Sequence, residues 1–245
     1  MTLIASHRGG ALLWAENSPT AFRNTAALRV DQVEFDIHPT GDGEIVVIHD
    51  ATLDRTTSGS GPVAERSLME LKALSLKVTE DEHMLTLAEL AAIFAPTDIT
   101  LRMEVNADHA HVPYRGLLAQ ALEVLDTQHM RRRTVVTSFQ ADVAAEAVTL
   151  DGLAEVIWLV SPPVQDAIGL GGIFAVAAEV GVRSVSLRAN RMDANVLGAL
   201  RSRGLSVGAW AVNDDDTIRR MLELGVDVLT TDIPTHALAL RGALG

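Results

Sequence analysis

Short runs rich in Val, Ile and Leu alternate along this chain with longer amphipathic stretches. No other feature constrains the fold as strongly. Strands separated by helical patterns build a parallel sheet, because parallel neighbours need a crossover of a dozen or more residues. The runs predict strands at Leu3–Ser6, Gln32–Ile37, Glu44–His49, Ile99–Val105, Thr134–Ser138, Glu155–Val160, Ser184–Leu187, Leu205–Ala211 and Val228–Thr231. Helical periodicity falls at Pro19–Leu28, Leu87–Phe94, Tyr114–Leu125, Asp142–Leu150, Ile173–Val180, Ala194–Arg203, Thr217–Leu224 and Thr235–Arg241. Ser18 before Pro19 reads as a cap followed by proline at the first helical position, and Asp193 caps its helix in the same way.

One strand does not fit the alternation. Glu44–His49 is separated from Gln32–Ile37 by Gly41-Asp42-Gly43 and a few neighbours, which is the spacing of a hairpin. Setting it aside leaves eight βα units. The expected fold is therefore an α/β chain, a (β/α)8 TIM barrel, with a β-hairpin following strand 2 and a small insertion after it. The insertion covers approximately residues 50–84, has no clear period and contains Ser58-Gly59-Ser60-Gly61-Pro62 and Thr79-Glu80-Asp81-Glu82. No linker divides the chain, so residues 1–245 read as a single domain.

Composition removes several function classes. Among 245 residues, Lys plus Arg total 20 and Asp plus Glu total 32, giving a formal net charge of −12. That balance argues against nucleic acid, whose backbone needs clustered cations. There is no cysteine, so thiolate nucleophiles and thiolate metal sites are excluded. The apolar stretch from Val156 to Val182 is broken by prolines, glycines and Asp166. No uncharged run long enough to span a bilayer is present, and Met1–Ser6 lacks signal-peptide character. The expectation is a cytoplasmic protein with no stable membrane insertion; homo-oligomerisation is left open. Lys72 and Lys77 are the two lysines, and both lie in the insertion.

Barrel enzymes place their sites at the C-terminal ends of the strands. Glu34 and Asp36 are two residues apart on one strand and face the same side. Glu104 sits on the next barrel strand. Three hard oxygen ligands on adjacent strands suit Mg²⁺ or Ca²⁺; the alternative is pairing with Arg8 or Arg102. His7 and His49 stand at strand ends on either side of the carboxylates, as an acid and a base on opposite sides of a breaking bond would. Arg8 is a planar cation suited to a phosphate, or to Glu34.

These residues also carry a resemblance. His7-Arg8-Gly9-Gly10, Glu16-Asn17-Ser18, Glu34-Phe35-Asp36, Val46-Val47-Ile48-His49-Asp50 and Arg55-Thr56-Thr57 resemble the N-terminal signature of bacterial cytoplasmic glycerophosphodiester phosphodiesterases. Met103-Glu104-Val105, Ser138-Phe139, Trp210-Ala211-Val212-Asn213 and Thr231-Asp232-Ile233-Pro234 extend it over nearly the whole chain. The resemblance implies metal-dependent hydrolysis of glycerophosphodiesters to sn-glycerol 3-phosphate and an alcohol, within glycerol and lipid metabolism. It implies His7 and His49 as the acid/base pair, Arg8 on the phosphate, and Glu34, Asp36 and Glu104 on a divalent metal.

One departure bears on substrate binding. The family has lysine two residues after the third carboxylate, where this chain has Asn106. Asn106 can still hydrogen-bond a phosphate or glycerol oxygen. Arg188, or His109 and His111, could replace the lost charge, whereas Arg102 lies deeper and reads as a buttress for the carboxylates. Trp210 could pack against glycerol or a choline-like cation, Trp14 could form a lip, and Trp158 could be core or pocket. A Schiff-base aldolase needs a lysine at a strand end and is excluded. His109-Ala110-His111 does not stand on a first strand, as an amidohydrolase would require. The remaining alternatives are a related phosphodiesterase or lyase acting on sugar phosphodiesters or lysophospholipids, and a catalytically weakened binding barrel.

Overall fold

The computed structural model describes residues 1–79 and 81–244. Glu80, in the acidic run of the insertion, lies outside them. The chain runs β1 (Leu3–Ser6), α1 (Pro19–Ala27), β2 (Gln32–Pro39), β3 (Ile45–Val47), α2 (Leu68–Lys72), α3 (Leu87–Phe94) and β4 (Thr100–Val105). It continues through α4 (Leu117–Thr127), β5 (Thr134–Ser138), α5 (Ala141–Val148), β6 (Glu155–Val160), α6 (Pro162–Val180) and β7 (Ser184–Arg188). It ends with α7 (Ala194–Arg201), β8 (Ser206–Trp210), α8 (Asp215–Leu224), β9 (Val228–Thr231) and α9 (Pro234–Leu244).

The strand order is β1-β9-β8-β7-β6-β5-β4-β2-β3, and β1 also pairs with β2. That last pairing closes eight parallel strands into the TIM barrel. β3 is the strand left outside: it runs antiparallel to β2, with Ile37 opposite Val47, as the short Gly41–Gly43 connection requires.

The main core lies between strands and helices. Phe22 of α1 meets Phe35 and Phe94 edge-on, with ring centroids 6.4 and 6.1 Å away. Such pairs add to the burial each ring contributes. The barrel interior differs. Register places Glu34 opposite Arg102, Asp36 opposite Glu104 and Glu104 opposite Thr137. Its separate apolar cluster is small: Val135, Ile157 and Leu159. TIM-barrel interiors are ordinarily filled by branched apolar side chains; here one side of the lumen is polar.

Several boundaries move for local reasons. The helix expected at Ile173–Val180 begins at Pro162, because Ser161-Pro162-Pro163 places prolines at the first helical positions, where their missing N–H groups cost nothing. Gly169 breaks it with φ 59° and ψ −174°. By length and composition alone α6 could cross a membrane; it packs against α5, α7, β6 and β7 and buries Ile173 and Ala177. α8 begins at Asp215 because Asp214 caps it, accepting from the Thr217 N–H. α4 starts at Leu117, after Gly116 at φ 75°.

The insertion is more ordered than its lack of period suggests. Ser67 and Glu70 form a reciprocal capping box on α2. Val46, Ile48, Leu53, Val63, Leu71 and Met84 make a second small core beneath it.

Candidate active site

The carboxylates Glu34, Asp36 and Glu104 converge at the mouth of the barrel, all buried, with oxygens within 4.8 Å of one another. Arg8 answers part of that charge. It sits in the left-handed region, at φ 50° and ψ 33°, on a tight turn after β1. Its backbone N–H donates to Glu34 Oε2 at 3.0 Å, its Nε lies 3.2 Å from Asp36, and its Nη1 donates to Glu16 at 3.1 Å. A non-glycine residue held there signals a position constrained by its surroundings.

Burial pushes Glu34 well above the usual carboxylate range, and the charges of Asp36 and Glu104 push it further. Burial, with Asp36, pushes Glu104 up to about 8. Burial also works against ionised Asp36, but Arg8, His49, His7 and a hydrogen bond from Asn17 outweigh it, and Asp36 is held low. Two carboxylates therefore resist ionising together unless a further cation joins them. Glu34 Oε1 is buried with no hydrogen-bond partner among the described residues. The donor set is all oxygen and suits a hard divalent cation.

Both histidines have a carboxylate behind them. His7 Nδ1 lies 2.5 Å from Asp232 Oδ1, and its Nε2 lies 3.7 Å from Glu34. Asn213 holds Asp232 on both sides, donating from its amide and accepting from the Asp232 N–H at 2.8 Å. His49 Nδ1 lies 2.6 Å from Asp50 Oδ1. Arg55 clamps Asp50 from Nε at 2.7 Å and Nη2 at 3.0 Å, and also holds Glu16 with two bonds of 2.7 Å. A carboxylate on Nδ1 fixes the ring and presents Nε2 to a reacting group. Asp50, Asp232, Arg55 and Asn17 were not distinguishable as site residues in the sequence. Asp50 and Asp232 stood at strand ends, but the contacts that give them work span 225 residues for His7–Asp232.

His7, Arg8, Glu34, His49 and Glu104 line one cavity of 240 Å³ with Trp210 and Asn213. Phe139 meets Trp210 edge-on at 5.6 Å, and the Arg188 guanidinium lies 5.7 Å from the Trp210 ring centre. Arg188 is otherwise exposed and does not line the cavity. Asn106 turns inward and donates to Asp36 Oδ1 at 3.1 Å. The exposed loop histidines His109 and His111 lie outside the cavity. Trp14 lines an adjacent 400 Å³ groove between the first loop and the insertion, with Leu12, Glu16 and Arg55. Trp158 is core, 3% exposed.

Comparison with known proteins agrees with this arrangement. The model of the glycerophosphoryl diester phosphodiesterase family matches residues 7–236. A glycerophosphodiester phosphodiesterase from Caldanaerobacter subterraneus is 28% identical, over 98% of this chain and 97% of its own. A crystal structure from Agrobacterium tumefaciens assigned to the same family is 36% identical with a TM-score of 0.97, covering 100% of this chain and 98% of that one. An Oleispira antarctica phosphodiesterase, solved with its product sn-glycerol-3-phosphate, shares the fold at 22% identity and a TM-score of 0.81, over 99% and 97% of the two chains. With its barrel closed and these groups gathered at one end, the chain belongs to the glycerophosphoryl diester phosphodiesterase family.

Proposed function

We propose that this protein hydrolyses glycerophosphodiesters to sn-glycerol 3-phosphate and an alcohol, with His7 and His49 as the acid/base pair. The observation that carries the reading is the pair of histidines, each backed by an aspartate, lining one cavity with three buried carboxylates. Glu34, Asp36 and Glu104 would hold Mg²⁺ or Ca²⁺, which supplies Lewis-acid stabilisation of charge on the phosphoryl oxygens.

The remaining work falls to the chain itself. Arg8 binds a phosphoryl oxygen through a guanidinium kept protonated by Asp36, Glu34, Glu16 and Glu104, whose charges outweigh the cost of burying it. One histidine accepts the proton of the attacking oxygen. The other donates a proton to the departing alkoxide, so that the alcohol leaves neutral. Water and the 2-hydroxyl of the glycerol are both chemically competent attackers; the second gives a cyclic phosphate that water then opens. Asp50 and Asp232 orient the rings. Asn106 holds Asp36, and Trp210, with the Arg188 guanidinium against its ring, lines the side of the cavity where an alcohol headgroup leaves.

The test is phosphodiester hydrolysis over a panel of headgroups in chelated enzyme, with Mg²⁺ or Ca²⁺ added back. The expected result is metal-restored release of sn-glycerol 3-phosphate. Turnover that is indifferent to chelation, or full turnover by His7→Ala and His49→Ala, sinks the reading.

A further inference from the structure

Gln32, Glu34, Asp36 and His38 alternate along β2 and continue one row of polar side chains. His38 is 1% exposed and has no part in the reaction above. Its imidazole joins two segments that lie outside the barrel strands. Nε2 lies 3.0 Å from the carbonyl oxygen of His49, and Nδ1 lies 3.1 Å from the hydroxyl of Tyr114. The His38 and Tyr114 rings meet edge-on with centroids 5.6 Å apart. Chemistry fixes the direction of both hydrogen bonds. A carbonyl only accepts, so Nε2 carries the proton. Burial pushes His38 below the ordinary histidine range, so the ring is neutral and Nδ1 accepts. Tyr114 is then the donor, and burial pushes its hydroxyl up to about 12, so it keeps its proton.

The carbonyl that His38 holds is well placed to matter. β3 ends at Val47 and lies outside the closed barrel. The Ile48 N–H still donates to the Asp36 carbonyl at 3.2 Å. The peptide between His49 and Asp50 is held at its oxygen by His38. That peptide links the His49 ring to the aspartate behind it, so its movement would swing both together without breaking their contact. On the other side, Tyr114 follows a compact turn in the loop between β4 and α4. Asp108 Oδ1 accepts there from the Ala110 and Val112 N–H groups at 2.8 Å each, and Ala107 bridges Pro113. We propose that His38 and Tyr114 are positioning residues for His49: a buried hydrogen-bonded strut that sets the reach of its ring by holding its peptide to the β4–α4 loop. This rests on the acid/base role proposed above for His49. Filling the core would need no such pair of directed bonds, since an apolar side chain of similar size would serve.

The experiment measures kcat and KM for glycerophosphocholine on metal-loaded wild type, His38→Leu, His38→Gln and Tyr114→Phe, with melting temperatures to confirm the fold. His38→Leu should lower kcat by about 10–100-fold, because a misplaced reacting group costs rate steeply. KM should stay unchanged, since Arg8 and the carboxylates keep their places. Glutamine retains an N–H for the His49 carbonyl and an oxygen for Tyr114, so His38→Gln should keep kcat within about threefold of wild type. Tyr114→Phe keeps the ring and deletes the donor; kcat should fall by about 3–10-fold, and this variant decides the matter if His38→Leu does not fold. In a His49→Ala background, His38→Leu should add no further loss, because it acts through the ring already removed. A purely structural role gives the opposite pattern: His38→Gln as impaired as His38→Leu, and losses that multiply in the His49→Ala background. That pattern, or full kcat in His38→Leu or Tyr114→Phe, overturns the positioning role and leaves the acid/base assignment intact. Full kcat in His49→Ala overturns both.

Discussion

Asn106 donates its side-chain amide to Oδ1 of Asp36 across 3.1 Å, while Asn17 donates to Oδ2 of the same carboxylate at 3.2 Å. The neutral residue at position 106 thus orients an acidic group at the barrel mouth. Groups that orient a metal ligand from behind typically contribute about 10–100-fold in metal affinity. Asn106→Ala is expected to weaken divalent-metal affinity by about tenfold, read by titration of metal-free protein. Unchanged metal affinity in that variant removes the role.

The Asp50–His49 contact predicts a rate effect. Asp50→Asn replaces the acceptor on Nδ1 and disorders the tautomer of His49. Asp50 is partly exposed, unlike the buried aspartate of a serine protease, so the loss in kcat is expected at about 10–100-fold, below the ~10⁴-fold of that case. KM should change little. Steady-state kinetics on glycerophosphocholine decide it; a rise in KM alone would place Asp50 in binding.

The same aspartate predicts a pH effect on stability. Its hydrogen bonds from Arg55, opposed by partial burial and aided by His49, hold it at about 2, down from 3.8. A depressed carboxylate contributes stability that is complete above its unfolded value and lost as pH falls through the folded one. Wild type should therefore lose its advantage over Asp50→Asn between about pH 4 and about pH 2, and keep it above. Urea midpoints across that range give the comparison, and a constant gap at all pH values contradicts it.

His7→Ala and His49→Ala are each expected to lower kcat by about 10²–10⁴-fold. Each ring is partly exposed, at 28% and 36%, so neither truncation should unfold the protein. Combining them should cost less than the product of the single losses, because the two act as one unit. Single and double variants measured side by side provide the check.

Phe22 sits at 0% exposure between Phe35 and Phe94 on the outer face of the barrel. Phe22→Ala should cost about 3–5 kcal/mol through the cavity it leaves. Chemical denaturation measures that cost. A loss below about 1 kcal/mol would mean that the site collapses to fill the gap.

The alternation of apolar runs with amphipathic stretches was enough to determine the eight βα units, and the Gly41–Gly43 connection was enough to set β3 aside. Both are local matters: side-chain period and crossover length depend on near neighbours in sequence. The carboxylate pair Glu34 and Asp36 was legible for the same reason, since residues two apart on a strand share a face. The start of α6 at Pro162 was obscured by Gly169, Gly171 and Gly172 within a largely apolar stretch, which erase helical period. The Asp50 partner of His49 is its next neighbour in the chain, but the Asp232 partner of His7, the Arg55 clamp between Asp50 and Glu16, and the inward turn of Asn106 were decided by how distant segments pack together. So was the placement of Arg102, which from its position on the strand reads as a buttress for the carboxylates. Its guanidinium donates to neutral Gln32 on the neighbouring strand β2, because the register of β2 against β4 sets which side chain meets it, and register is fixed by the packed sheet and not by position along one strand.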